Sequence, residues 1–130
     1  MKINGFNHVT LIVGNLSASL QFYEKVLGLK RIHLGNTDAY LLWGSAWICL
    51  MERKDTLAKG EHVRGVDHIA FSIAEDDFDE AVEKLKQANV SIVRGPIQRG
   101  GGKVINFLDP DEIQLELNTS DLETRMKDWK

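Results

Sequence analysis

Two stretches of the chain, about sixty residues apart, share one alternation of polar and apolar side chains. His8 begins the run H-V-T-L-I-V, and His68 begins the run H-I-A-F-S-I. Side chains alternate across a strand, so the apolar residues of each run form a face that can pack under a helix, and the histidines lie on the opposite face. Each run leads into a helical pattern that ends near Gly28 or Asn89. The pattern predicts a duplicated unit.

Each copy is predicted to contain one strand, one helix and three further strands. The first copy has a strand at 6–13, a helix at 16–28 with Asn15 or Ser17 as its cap and Gly28 as its stop, and strands near 30–34, 38–43 and 46–52. The second copy has a strand at 67–73, a helix at 76–88 and strands near 91–94, 103–108 and 113–118. A short helix follows Ser120, which has capping-box spacing with Glu123.

Length and composition favour a single domain over 1–130. The chain has 130 residues, 43% of them hydrophobic, which suits one core of ordinary size. Module 1 is predicted at about 4–53, module 2 at about 65–118 and a C-terminal helix at about 120–129, with 53–65 as the linker.

Charge and cysteine content exclude several classes of function. The net charge is −3 and the basic residues are scattered, which argues against nucleic acid as a partner. The longest mostly apolar run, 40–51, is too short to span a bilayer, and the start of the chain lacks a signal-peptide pattern. Cys49 is the only cysteine, so no disulfide forms within the chain. We therefore expect a cytoplasmic protein without a membrane partner.

The histidines and the closing strand I-Q-L-E-L-N suggest a metal site. Glu116 lies on the polar face of that strand, so His8, His68 and Glu116 can meet in one hollow. Two imidazoles and a carboxylate bind a divalent transition ion and leave coordination positions open. A lone strand histidine is more often a hydrogen-bonded structural residue, but two at matching positions favour the metal. Superposing the copies places Cys49 where Glu116 stands, as a fourth ligand or, more often, a small buried hydrophobe.

For several other polar and aromatic residues, the sequence leaves two roles open. Tyr40 and Trp47 either belong to the core or an interface or line a substrate site. Arg125 is either a solvent-facing cation or a clamp on an anionic group. The glycines at 100–102, followed by Lys103, present backbone N–H groups to an anion or simply form a flexible turn. Residues in linkers or at strand ends are expected to be solvated: His33, Glu52 and His62.

Five segments together resemble the vicinal oxygen chelate superfamily and, within it, the fosfomycin-resistance thiol transferases. They are N-H-V-T-L-I-V, A-Y-L-L-W-G-S-A-W-I-C-L, D-H-I-A-F-S-I, F-L-D-P-D-x-x-x-L-E-L and S-D-L-E-T-R-M. The resemblance covers nearly the whole chain. It implies an α+β fold of two paired βαβββ modules that form a cupped, half-open mixed β-sheet barrel with helices outside.

The same resemblance implies roles for individual residues. His8, His68 and Glu116 bind the metal, Mn²⁺ being the first expectation and Fe²⁺, Zn²⁺, Ni²⁺ or Co²⁺ the alternatives. Thr10 hydrogen-bonds the oxirane oxygen, and Tyr40 assists ionisation of a thiol. The expected substrate-binding residues are Arg125, Arg94, Trp47 and Lys103, with Arg94 nearest to a family lysine.

The chain also departs from the family pattern. Glycines 100–102, Lys103 and Val104 replace a cation-binding loop and its serines, a tyrosine becomes Asn106, and D-P-D-G becomes D-P-D-E. The site therefore either binds fosfomycin poorly or fits another small anion. Residues 34–44 contain no glutamate, which disfavours the hydrolase route of the family.

The implied function is a metal-dependent transferase that adds glutathione or another low-molecular-weight thiol to a small anionic epoxide such as fosfomycin. The alternatives are another metalloenzyme of the superfamily, namely a lactoylglutathione lyase, an isomerase or an extradiol dioxygenase, and a metal-free protein that sequesters a small molecule. The resemblance further implies a homodimer in which His8 of one chain joins His68 and Glu116 of the other.

Overall fold

The computed structural model describes the chain except residues 59, 61, 129 and 130. Backbone contacts divide it into two compact units, Met1–Leu57 and Ala58–Lys130. Within the described part, no helix combines the length and the apolar character needed to cross a membrane.

The first unit is a four-stranded mixed sheet with one helix. Its elements are β1 (His8–Val13), α1 (Leu16–Leu20), a π-helical segment (Gln21–Val26), β2 (Lys30–Leu34), β3 (Asp38–Trp43) and β4 (Ala46–Glu52). The strand order is β1-β4-β3-β2. β1 runs parallel to β4, whereas β3 is antiparallel to both of its neighbours.

The second unit repeats this topology. Its elements are β5 (Ile69–Ser72), α2 (Glu75–Gln87), β6 (Ile92–Arg99), β7 (Gly102–Leu108), β8 (Gln114–Asn118) and α3 (Leu122–Asp128). The strand order is β5-β8-β7-β6, again with one parallel pair, β5 and β8. The predicted α+β class with two βαβββ modules is thus confirmed, as a pair of open four-stranded mixed sheets.

The alternation along β1 is the one that the sequence predicted. Leu11 and Val13 are buried, whereas His8 and Thr10 are exposed. In the second unit Phe78, Val82 and Leu85 of α2 supply the buried face of the helix. These apolar faces form the core, whereas the opposite faces of the strands, which carry the histidines, are available to polar groups.

The first helix differs from its prediction as one unbroken element at 16–28. Asn15 Oδ1 caps it, accepting from the Ala18 backbone N–H at 2.9 Å, but the α-helix gives way to π-helical turns after Leu20. The wider turn accommodates two consecutive buried rings, Phe22 and Tyr23, a pattern that a period of 3.6 residues does not signal.

Three further expectations about local structure were wrong. β6 extends beyond 94 to Arg99, because a shift in its pairing with β7 accommodates Gly95 and Pro96 on an edge strand. Asp121, rather than Ser120, caps α3, accepting from Thr124 N at 2.7 Å, and Ser120 Oγ donates to Gly100 O instead. The predicted solvated role fails for Glu52, since its mostly buried carboxylate accepts from the Leu16 N–H at 2.8 Å.

Candidate metal centre

The second unit brings together two of the three predicted metal ligands. His68 lies immediately before β5, and Glu116 lies on β8, the parallel neighbour of β5. The two atoms His68 Nε2 and Glu116 Oε1 are 3.6 Å apart. This spacing lets one ion contact both side chains without a change in the backbone.

The Glu116 carboxylate is held from two sides. Its residue is only 6% exposed. Asn106 Nδ2 donates to Oε1 at 3.1 Å, and Asn118 Nδ2 donates to Oε2 at 3.0 Å. Each oxygen thus keeps free lone pairs in a fixed direction, which is the property that a metal-ligating carboxylate needs.

The residue before each histidine orients the imidazole. His68 Nδ1 donates to Asp67 Oδ2 at 2.7 Å, and His8 Nδ1 donates to Asn7 Oδ1 at 2.6 Å, because both partner oxygens are acceptors only. In each case the proton on Nδ1 leaves the Nε2 lone pair available to a metal. Sequence reasoning missed both partners, although the repeated dipeptides N-H and D-H were a visible signal.

The strand register supports the predicted equivalence of Cys49 and Glu116. Thr10, two residues after His8, pairs with Cys49 across β1 and β4. Ala70, two residues after His68, pairs with Glu116 across β5 and β8. Cys49 is buried and unbridged, which agrees with its interpretation as a small core residue.

The donor set suits a divalent transition ion. Two imidazoles with available Nε2 atoms and one oriented carboxylate match the 2-His-1-carboxylate pattern. Within the described part of a single chain, however, no three His, Cys, Asp or Glu side chains group closely enough to hold an ion. His68 and Glu116 therefore form two thirds of the predicted set, and the third ligand, His8, belongs to the first unit.

Aromatic rings form a contact series across the first sheet. His8 lies 4.3 Å from Trp47 between ring centroids, Trp47 lies 5.7 Å from Tyr40, and Tyr40 lies 5.0 Å from His33. Tyr40 is 39% exposed. Both residues with a predicted substrate or thiol role, Tyr40 and Trp47, thus lie on the face of the sheet that carries His8.

Among the predicted anion-binding residues, Arg94 lies nearest to the carboxylate of Glu116. Its guanidinium NH2 is 3.9 Å from Glu116 Oε1 and 3.4 Å from Asn106 Oδ1. Lys103 lies on the other face of β7, where its Nζ is 3.9 Å from Asp79 on α2. Strand alternation puts Lys103 opposite to Asn106, so the structure does not bring it to Glu116.

Arg125 lies against the glycine turn between β6 and β7. It lines a cavity of about 180 Å³ together with Arg99, Gly100, Asn118 and residues 120–122. Asn118 joins this cavity to the candidate metal centre, since the same side chain donates to Glu116. A Cβ at Gly100 would lie 2.9 Å from an Arg125 guanidinium nitrogen, so the glycine makes room for the arginine.

The family profile that matches this chain is the Glyoxalase/Bleomycin resistance protein/Dioxygenase superfamily, over residues 5–117. The chain belongs to this superfamily. Metallothiol transferase FosB of Staphylococcus epidermidis is 38% identical over 131 residues, covering 100% of this chain and 92% of the relative. Glutathione transferase FosA of Serratia marcescens is 35% identical, covering 95% and 86%.

Solved structures of the superfamily share the fold of this chain. The fosfomycin resistance protein FosX of Listeria monocytogenes has 32% identity and a TM-score of 0.81, covering 98% of this chain and 100% of its own. A second crystal structure of that FosX, with 31% identity and a TM-score of 0.80, is a complex with Mn(II) and sulfate and covers 99% and 100%. The superfamily assignment and the architecture predicted from sequence agree.

Proposed function

We propose that the protein is a metal-dependent transferase that opens a small anionic epoxide such as fosfomycin with a low-molecular-weight thiol. The observation that carries the proposal is the oriented pair His68 and Glu116, with the same histidine arrangement repeated at His8. The names of the relatives support the class of reaction, since FosB is a metallothiol transferase and FosA a glutathione transferase.

The metal would be bound by His8, His68 and Glu116, and it would supply Lewis acidity to oxygens of the substrate. Mn²⁺ is the first candidate, because a FosX complex contains it, with Fe²⁺, Zn²⁺, Ni²⁺ and Co²⁺ as alternatives. The buried environment of Glu116 lowers the local dielectric, which strengthens its interaction with a cation.

The remaining side chains bind and orient the reactants. The Thr10 hydroxyl donates a hydrogen bond to the oxirane oxygen, and the Tyr40 hydroxyl donates to the incoming sulfur. Arg94, beside Glu116, and Arg125, in the cavity that Asn118 shares, bind the anionic group. Trp47 packs beside His8 and shields that side of the proposed metal site. A thiol substrate agrees with action in the cytoplasm, where thiols stay reduced.

The test is mass spectrometry of the phosphonate after incubation with fosfomycin, Mn²⁺ and cysteine or glutathione. The proposal predicts a covalent adduct of fosfomycin and thiol that requires the metal and is absent with Glu116→Gln. The matched control is Gln98→Leu, an exposed amide on the same sheet. A product that carries water in place of the thiol would assign a hydrolase, and no product with any thiol or metal would refute the epoxide-opening function.

We further propose that the active form is a homodimer with two shared sites, His8 of each chain joining His68 and Glu116 of its partner. Mixing His8→Ala with Glu116→Ala then gives a heterodimer in which one site carries both changes and the other is intact. Two inactive variants should regain about half of the wild-type activity per heterodimer. If every chain builds its own site, the mixture stays inactive although subunit exchange is complete.

A further inference from the structure

A row of directly paired residues crosses all four strands of the first sheet. Thr10 on β1 pairs with Cys49 on β4, and Cys49 pairs with Tyr40 on β3. Tyr40 in turn pairs with His33 on β2. Directly paired residues point to the same face of a sheet, so His33 ends a row that contains Thr10 and Tyr40, the two residues with proposed catalytic roles.

A β-bulge puts His33 in this row. The pairing of β2 with β3 begins as Arg31 with Leu41, and a regular antiparallel ladder would continue to His33 with Ala39. The register shifts between Arg31 and His33, so His33 stands opposite Tyr40 instead. Because one residue of slip moves a side chain to the other face, the bulge turns the imidazole towards the tyrosine.

A carboxylate lies near the imidazole. His33 Nε2 is 3.7 Å from Asp38 Oδ1, and the His33 side chain is 49% exposed, so its second ring nitrogen remains accessible to a small molecule. The ring centroids of His33 and Tyr40 are 5.0 Å apart, with the planes tilted by 45°. The two rings are therefore adjacent on this face of the sheet, so a small thiol that binds beside Tyr40 also lies beside His33.

We propose that His33 is the general base for the nucleophile, an inference that rests on the thiol transfer proposed above. The imidazole takes the S–H proton as the sulfur lone pair forms the S–C bond. The C–O bond of the epoxide breaks with its electron pair on oxygen, and the imidazolium then returns the proton to that oxygen through solvent. The Asp38 carboxylate lies on the Nε2 side of the ring, which leaves Nδ1 to accept the proton.

The other charged groups around His33 support this assignment. Arg31, on the same strand, is engaged by Glu24 in a bidentate pair at 2.7 Å, so its charge is largely compensated. Asp38 and Tyr40 face His33 from β3, and β2 is the edge strand of this sheet among the residues that the structure describes.

The decisive experiment compares two thiols. His33→Gln keeps a polar side chain but cannot accept the proton, and Lys30→Gln, on the exposed part of β2, is the matched control. With cysteine, which is mostly protonated at neutral pH, kcat/KM of His33→Gln should fall by about a hundredfold or more. With thionitrobenzoate, which is already ionised, the fall should be less than about threefold, since no proton has to be removed.

The pH profile gives a second signature. The wild type should show an ionisation limb in kcat/KM with cysteine that His33→Gln lacks. An equal loss with both thiols would overturn the proposal in favour of a structural role, and so would an unchanged rate with cysteine. Lys30→Gln should keep the wild-type rate and profile.

Binding without metal separates this inference from the proposed transferase function. The chain has four histidines, so the His33 ring signal can be assigned in an NMR spectrum by comparison with His33→Gln. Adding cysteine to metal-free protein should shift that signal even if fosfomycin is not the substrate. A His33 signal that does not move at saturating cysteine would overturn the assignment, whatever the activity.

Discussion

Replacing Asn106 by leucine removes an amide that holds the proposed metal ligand Glu116. Asn106 is completely buried, donates to Glu116 Oε1 at 3.1 Å and accepts from Arg94 at 3.4 Å. Leucine has a similar volume and neither polar group. The carboxylate would then keep its bond from Asn118 at 3.0 Å but lose the direction of Oε1.

The size of the effect follows from the lost contact. A hydrogen bond to a charged group contributes about 1.5–3 kcal/mol, which corresponds to roughly ten- to a hundredfold in an equilibrium constant. Substitutions in the outer shell of metal sites lie in the same range. We therefore expect Asn106→Leu to weaken Mn²⁺ binding by about ten- to a hundredfold.

Isothermal titration calorimetry with Mn²⁺ measures this change directly. Gln98→Leu, which replaces an exposed amide on the same sheet, should bind Mn²⁺ like the wild type. Circular dichroism should show that Asn106→Leu is folded at the temperature of the titration. An Mn²⁺ affinity within about twofold of the wild type in the folded variant would refute the idea that Asn106 orients the ligand.

Three further predictions concern the scaffold. The hydrogen bond from Arg31 holds the pKa of Glu24 below its ordinary 4.5. The ionised carboxylate therefore stabilises the folded state above that pH, and this contribution is lost as the pH falls through the lowered pKa. Urea titrations at several pH values should show that Glu24→Gln lowers the free energy of unfolding only at the higher pH values. A pH-independent difference would contradict this. Glu52→Ala should lower the free energy of unfolding by about 1 kcal/mol, because the Leu16 N–H loses its acceptor; an unchanged urea midpoint would refute the capping role. Gly101→Ala should lower the free energy of unfolding by roughly 1–3 kcal/mol, since φ is +85° and the new Cβ would lie 2.8 Å from Thr124 Cγ2. Gly60→Ala, whose new Cβ would have no neighbour nearer than 4.0 Å, is the control. Equal unfolding curves for the two variants would contradict the argument.

The repeat made much of the fold predictable from sequence. The strands β2, β3 and β4 begin and end where the alternation of side chains placed them, because hairpin turns mark their limits. The equivalence of Cys49 with Glu116 followed from counting residues in each copy, and the register bears it out. The π-helical turns and the extension of β6 did not follow, because they depend on tertiary packing and on shifted pairing.

The site was less accessible from sequence than the fold. The histidines and Glu116 were visible as ligand types on polar faces, but the groups that orient them act through short contacts between neighbours, as Asp67 does for His68. His33 was interpreted as solvated because it lies near a strand end, and its side chain is indeed half exposed. The one-residue bulge that places it opposite Tyr40 leaves no trace in the alternation pattern. For Lys103, the preceding glycine turn suggested an anion site, whereas its Nζ lies 3.9 Å from Asp79 on α2; its role in binding an anion stays a prediction.

Metal content tests the central claim most directly. Protein purified without chelator and loaded with Mn²⁺ is analysed for metal per chain, alongside His8→Ala, His68→Ala and Glu116→Gln. The account predicts about one transition ion per chain in the wild type and loss of that ion in each of the three variants. An unchanged metal content in all three variants would contradict the metal centre and, with it, the proposed reaction.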